Sequence, residues 1–182
     1  FSDKTITTGE GGMLLTDSNK LLRICNYYKH DGRKERGEDT IKISGYNFRF
    51  TELQAAVGLA QTKKLSFFIF KKKEIYKKYE KNLKKVEQIK LFNYSEFCNP
   101  VPHRIVILTK NKSSSLRKFL NKAGIGVRSL FMPMHRQPIY NIKRKFKNSE
   151  ILYSTGVCLP SAPSLRDKEI NYVCNKIKKF FN

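Results

Sequence analysis

Gly45–Gln61, GYNFRFTELQAAVGLAQ, sets the architecture of the first third of the chain. Thr51 with Gln54 three residues later is a capping box: each side chain can satisfy a backbone N–H of the other's residue. It predicts a helix over Glu52–Gln61. The small residues Ala55, Ala56, Gly58 and Ala60 would let that helix approach a neighbour closely. Upstream, Gly12–Thr16 (GMLLT) reads as a short buried strand. Ser18 can cap a helix carrying Leu21, Ile24, Cys25 and Tyr28 that ends near Gly32. Residues 33–46 read as a loop, with a short strand expected at Ile41–Ser44.

Downstream comes a long Lys-rich helix, expected to end near Lys85. Leu65, Phe68, Ile69, Ile75, Tyr76, Tyr79, Leu83 and Val86 recur at helical spacing, with lysines on the other faces. Past residue 86 the pattern changes. Arg104–Thr109 (RIVILT) is a β-branched run typical of a strand. Ser113–Ser115 offer caps for a helix with Leu116, Phe119 and Leu120, ended by Gly124. Val127–Phe131 is a further strand, Met132–Tyr140 and Leu159–Pro163 are loops, and Ser164 caps a last helix holding Ile170, Val173, Cys174, Ile177 and Phe181. This order predicts the end of one α/β domain (1–62), a connecting helix (63–85) and a small α/β domain (86–182).

The chain has 182 residues, 40 % of them hydrophobic, enough to build a core despite a net charge of +22. Of 37 basic residues 27 are Lys and 10 Arg, whereas recognition of bases and phosphate forks favours Arg. The densest run lies on one helical pattern and reads as a solvated face. The expectation is therefore no nucleic acid, with a non-catalytic basic binding domain for nucleic acid or anionic surfaces as the alternative. No apolar run approaches the roughly 18 residues that span a membrane. Cys25, Cys98, Cys158 and Cys174 form no CxxC, and His30, His103 and His135 are scattered, so neither a metal site nor a disulfide framework is expected. A cytoplasmic protein is the plain expectation. Phe1 enters the pattern with no lead-in, which predicts a chain that begins inside a larger protein.

Four stretches carry a resemblance: Lys4–Gly12 (KTITTGEGG), Gly45–Gln61, Pro133–Tyr140 (PMHRQPIY) and Leu159–Leu165 (LPSAPSL). In this order they resemble the C-terminal half of DegT/DnrJ/StrS-type aminotransferases, and within them the perosamine-synthase-like branch. The resemblance implies the aspartate-aminotransferase-like pyridoxal-phosphate (PLP) fold: the C-terminal part of the large domain followed by the small α/β domain. It implies transfer of an amino group, with glutamate as donor, to a keto carbon of a nucleotide-linked deoxysugar. Lys4 corresponds to the lysine that bonds the cofactor. Asn47 corresponds to the residue from which one subunit reaches the cofactor phosphate of its dimer mate; by its residue type alone it is equally a left-handed turn residue. His135, Arg136 and Tyr140 lie in a loop that the resemblance brings to the nucleotide-sugar, and Arg49 is a candidate for its diphosphate. Plain alternatives stand beside these: a satisfied structural histidine for His135, a surface ion pair for Arg49. Gly9, Gly11 and Gly12 read as a tight turn that positions Lys4. Ser2 and Asp3 depart from the Gly-Asn pair usual before that lysine. A homodimer with a shared active site follows from the same resemblance, as does the expectation that residues 1–182 alone are inactive.

Overall fold

The computed structural model describes residues 4–35, 37–95, 97–140 and 142–182, so Ser2 and Asp3 lie outside the described residues. The chain divides into two compact units, 1–65 and 66–182.

The first unit holds two helices, α1 (Asn19–Lys29) and α2 (Glu52–Lys63). Both begin where the sequence predicts. The Leu21 amide donates to Ser18 Oγ at 3.3 Å, and the Thr51–Gln54 box forms in both directions. Between them the described residues run as irregular backbone with one isolated bridge, and the strand expected at Ile41–Ser44 is absent among them. The Gly12–Thr16 strand is also absent. Met13 and Leu15 are each 86 % exposed, because a strand exists only by pairing and no described segment of this unit offers a ladder to it.

The second unit is a four-stranded antiparallel sheet in the order β1-β2-β4-β3, with helices packed on it. The strands are β1 (Ile89–Leu91), β2 (Ile105–Thr109), β3 (Arg128–Ser129) and β4 (Gly156–Leu159). Its helices are α3 (Leu65–Leu83), α4 (Ser113–Lys122), α5 (Lys147–Thr155) and α6 (Asp167–Phe181). Ile105 and Ile107 of β2 meet Val157 and Leu159 of β4, Leu116 and Leu120 of α4, and Ile170 and Ile177 of α6 in one core. Each such side chain contributes about 1.5–3 kcal/mol by leaving water. From α3 come Ile75, Tyr79 and Leu83, the apolar stripe read from the sequence. Lys72 departs from that reading: it is 3 % exposed, with Nζ 3.5 Å from the His103 carbonyl.

Other expectations need correction. β1, α5 and β4 had no sequence signal, and β3 is shorter than Val127–Phe131. All four residues of β4 are buried, so Leu159 belongs to the core rather than to a loop. Gly156 starts β4 directly after α5; a Cβ there would collide with the Leu130 side chain and the Leu152 carbonyl. Ser113–Ser115 do not cap α4. Ser113 is buried and donates instead to the Ser154 carbonyl. α6 starts after Arg166, not Ser164: the Arg166 amide and guanidinium donate to the two Glu169 carboxylate oxygens, both at 2.8 Å. Met132–Tyr140 contains two 3-10 turns, Met134–Arg136 and Pro138–Tyr140. No helix among the described residues is long and apolar enough to cross a membrane.

Candidate functional site

Lys4 stands at the start of a segment that folds back on itself within nine residues. The turn is built by Thr7, whose hydroxyl accepts from the Gly9 amide, and Thr8, whose hydroxyl donates to the Glu10 carbonyl at 2.7 Å. Gly9 (φ +83°) and Gly11 (φ +147°) occupy backbone conformations that side-chain-bearing residues rarely adopt. A Cβ on Gly11 would also lie 2.9 Å from the Phe50 ring. The expected tight turn is therefore real, although it does not lead into a strand.

α2 holds this turn in place. Gln54 uses Oε1 to accept from the Thr51 amide and Nε2 to donate to the Glu10 carbonyl at 3.1 Å. One turn further on, Gly58 lacks the Cβ that would sit 3.0 Å from the Thr8 methyl. Of the small residues of α2, Gly58 thus admits the lysine's own segment, while Ala55, Ala56 and Ala60 are exposed. Together they bound an open cleft of about 520 Å³, walled by Lys4, Thr7, Thr8, Met13, Phe50 and Gln61 among others. Lys4 is exposed and supplies the one amine among the described lining residues. A primary amine beside hydroxyls and glycine backbone suits a carbonyl-bearing ligand, which the amine can attack when neutral.

Asn47 is not brought to that cleft. It pairs with His30 in an isolated antiparallel bridge. Around it the Tyr46 amide donates to Tyr28, the Asp31 amide to Tyr46, and the Phe48 amide to Lys29, so residues 46–48 are laced to the end of α1. The left-handed turn reading fails, since the described non-glycine residues with positive φ are Asp31 and Asn111. The Asn47 side chain is exposed. Arg49 pairs with Asp31 at 3.1 Å, the plain alternative raised for it. Tyr46 and Phe48 stack on each other, rings 4.9 Å apart, yet both remain exposed rather than packed in a core.

In the second unit His135 Nε2 donates to Glu150 Oε1 at 2.7 Å, and Arg136 Nη1 lies 3.4 Å from Glu150 Oε2. The His135 side chain is only 9 % exposed, which favours the satisfied structural histidine. Tyr140 is exposed. Sequence reasoning missed Glu150, Phe50 and the second role of Gln54, whereas Gly58 was read as a point of close approach and is one. Gln54 was visible as a cap; Glu150 carried no local signal.

Two cysteines are inert for a physical reason. Burial pushes the Cys174 thiol up to about 11 and raises that of Cys158.

Residues 1–178 match the DegT/DnrJ/EryC1/StrS aminotransferase family. The GDP-perosamine synthase of Escherichia coli O157:H7 is 35 % identical over 183 residues, covering 100 % of this chain and 50 % of its own length. That of Vibrio cholerae is 31 % identical over 188 residues, covering 100 % and 51 %. The solved structure of Helicobacter pylori PseC, an aminotransferase involved in the biosynthesis of pseudoaminic acid, matches with a TM-score of 0.84 at 26 % identity. It covers 98 % of this chain and 50 % of PseC. The chain spans about half the length of the curated relatives it matches.

Proposed function

The chain belongs to the DegT/DnrJ/EryC1/StrS aminotransferase family, and on that premise we propose that it is the C-terminal half of a PLP-dependent nucleotide-sugar aminotransferase. The observation that carries the reading is Lys4, an exposed amine on the wall of a cleft whose floor is fixed by the GEGG turn and α2.

PLP, when bound, supplies the electron sink that lets a proton leave the carbon bearing nitrogen. Lys4 supplies the covalent anchor through Nζ, which must first lose its proton. Once free, the same Nζ takes a proton from the substrate carbon and returns one, a role suited to a flexible four-carbon stem. The turn at Gly9–Gly12 and its tie to Gln54 limit where that stem can start. In this reading Asn47, with an exposed amide and no role in its own cleft, donates to the cofactor phosphate of a second subunit, which makes the enzyme a homodimer. Residues 1–62 then complete the large domain, 63–85 connect, and 86–182 form the small domain. The substrate is a nucleotide-linked keto-deoxysugar, the amino donor glutamate, and the compartment the cytoplasm.

The test is made in the full-length polypeptide that carries this segment. Borohydride treatment of the PLP-loaded protein should fix a pyridoxyl group on the Lys4 peptide. Lys4→Ala should lose both that adduct and transamination to background while keeping its circular dichroism. Turnover retained in Lys4→Ala, or an adduct on another lysine, overturns the assignment. Absence of any adduct together with salt-sensitive binding of nucleic acid would favour the basic binding domain.

A further inference from the structure

Residues 133–140 hold themselves together only locally. The Arg136 amide donates to Pro133, the Gln137 amide to Met134 and the Tyr140 amide to Gln137. Among the described hydrogen bonds, those tying this loop to another element end on one carboxylate, that of Glu150 on α5. Oε1 accepts from His135 and Oε2 from Arg136, successive residues of one 3-10 turn. The neighbours of Glu150 complete the seat. Glu150 and Tyr153, three residues apart, share one side of α5, and Phe146 is the residue that precedes its first turn. The His135 ring lies 4.9 Å from the Phe146 ring, and the Arg136 guanidinium 5.4 Å from the Tyr153 ring.

This seat engages the polar ends of both His135 and Arg136. It leaves Ile139 85 % exposed, with Tyr140 beside it also exposed. We propose that Glu150 is a positioning residue. Its carboxylate fixes the loop so that Ile139 and Tyr140 present one stable surface to the nucleotide-sugar, while His135 and Arg136 serve as the loop's attachment rather than as ligands. The proposal rests on the aminotransferase reading for the identity of the ligand. The clamp itself does not. A carboxylate only accepts, so His135 Nε2 must carry a proton, which leaves Nδ1 as the acceptor nitrogen of the neutral ring.

The test uses Glu150→Ala, which removes both acceptors, and Glu150→Gln, which keeps the shape and one acceptor. In the 182-residue chain, amide exchange at Arg136, Gln137 and Tyr140 should quicken by about tenfold in Glu150→Ala and by less in Glu150→Gln. Amides of Ile107 and Val157 should not change, and imidazole nitrogen spectra should show His135 losing its fixed Nε2–H form. In the PLP-loaded full-length protein, KM for the nucleotide-sugar should rise by about tenfold with kcat within about twofold. Unchanged loop exchange overturns the clamp. Faster exchange with unchanged KM overturns the positioning role and leaves the aminotransferase reading standing. An unsubstituted protein without transamination overturns that reading and the substrate role with it, whatever the exchange data report.

Discussion

Gln54 shows how much a single amide can settle. Its carbonyl end closes the cap of α2, and its nitrogen end holds the Glu10 carbonyl in the turn below Lys4. The first half was legible in sequence, because a cap is written within four residues. The second half spans 44 residues and leaves no local trace. Gln54→Glu separates the two. A carboxylate still accepts from Thr51, yet it cannot donate to Glu10, so α2 should persist while the turn loosens. The backbone order parameter of Gly11 should fall from the rigid range, roughly 0.85, to below about 0.6. Gln54→Leu should lose the reciprocal half of the box as well, one hydrogen bond of about 1 kcal/mol, while Thr51 Oγ1 still accepts from the amide of residue 54. Asn47 teaches the complementary lesson. Residue type allowed a left-handed turn, but backbone pairing with His30 holds it out of that region.

Serine caps were the least dependable element-level reading. Ser113 was claimed by a longer-range need, a bond to the Ser154 carbonyl that ties α4 to the end of α5. Ser164 was bypassed because Glu169 reaches back to Arg166 and starts α6 two residues later. Strands were legible where a β-branched run or flanking glycines marked them, as for β2 and, over a longer stretch than it occupies, for β3. β2 is five residues of β-branched and aliphatic character and was seen; β1 and β4 have three and four residues, and β4 follows α5 without a turn signal. The α6 start carries a pH signature. Hydrogen bonds from the Arg166 side chain and amide hold the Glu169 carboxyl down at about 2, against 4.5 ordinarily. A depressed carboxyl stabilises fully above its unfolded value and ceases to do so as pH falls through its folded one. The protection factors of the Glu169 and Ile170 amides, taken against the intrinsic exchange rate at each pH, should therefore hold at pH 5 and fall progressively between about pH 4.5 and 2. Glu169→Gln should abolish that pH dependence at this helix end; a carboxyl resonance of Glu169 titrating near its ordinary value would contradict it.

At the scale of the molecule, every buried hydrophobic side chain described lies between Ile75 and Ile177; α1 and α2 bury none. The described residues of 1–65 therefore form no core of their own, while Met13, Leu14, Leu15, Leu53 and Leu59 face solvent. Limited trypsinolysis of the 182-residue chain should digest 1–64 rapidly and leave a resistant product beginning near Leu65. The intact chain should scatter light at concentrations where that product stays clear, and should retain PLP poorly. Equal protease resistance of both units would contradict this. The fold class was legible because motif order survives in sequence; the missing core was not, since exposure depends on what covers a face. Charge is as unevenly shared as burial. Residues 66–182 hold 26 lysines and arginines against 7 aspartates and glutamates. Of those seven carboxylates Glu74, Glu150, Asp167 and Glu169 are already held against cations. Protein groups cannot neutralise the remainder, so dissolved anions must, as an ion atmosphere about 8 Å deep at physiological salt. A diphosphate-bearing sugar would enter that atmosphere in exchange for simpler ions before touching any side chain, and dilution of the medium would hasten its arrival.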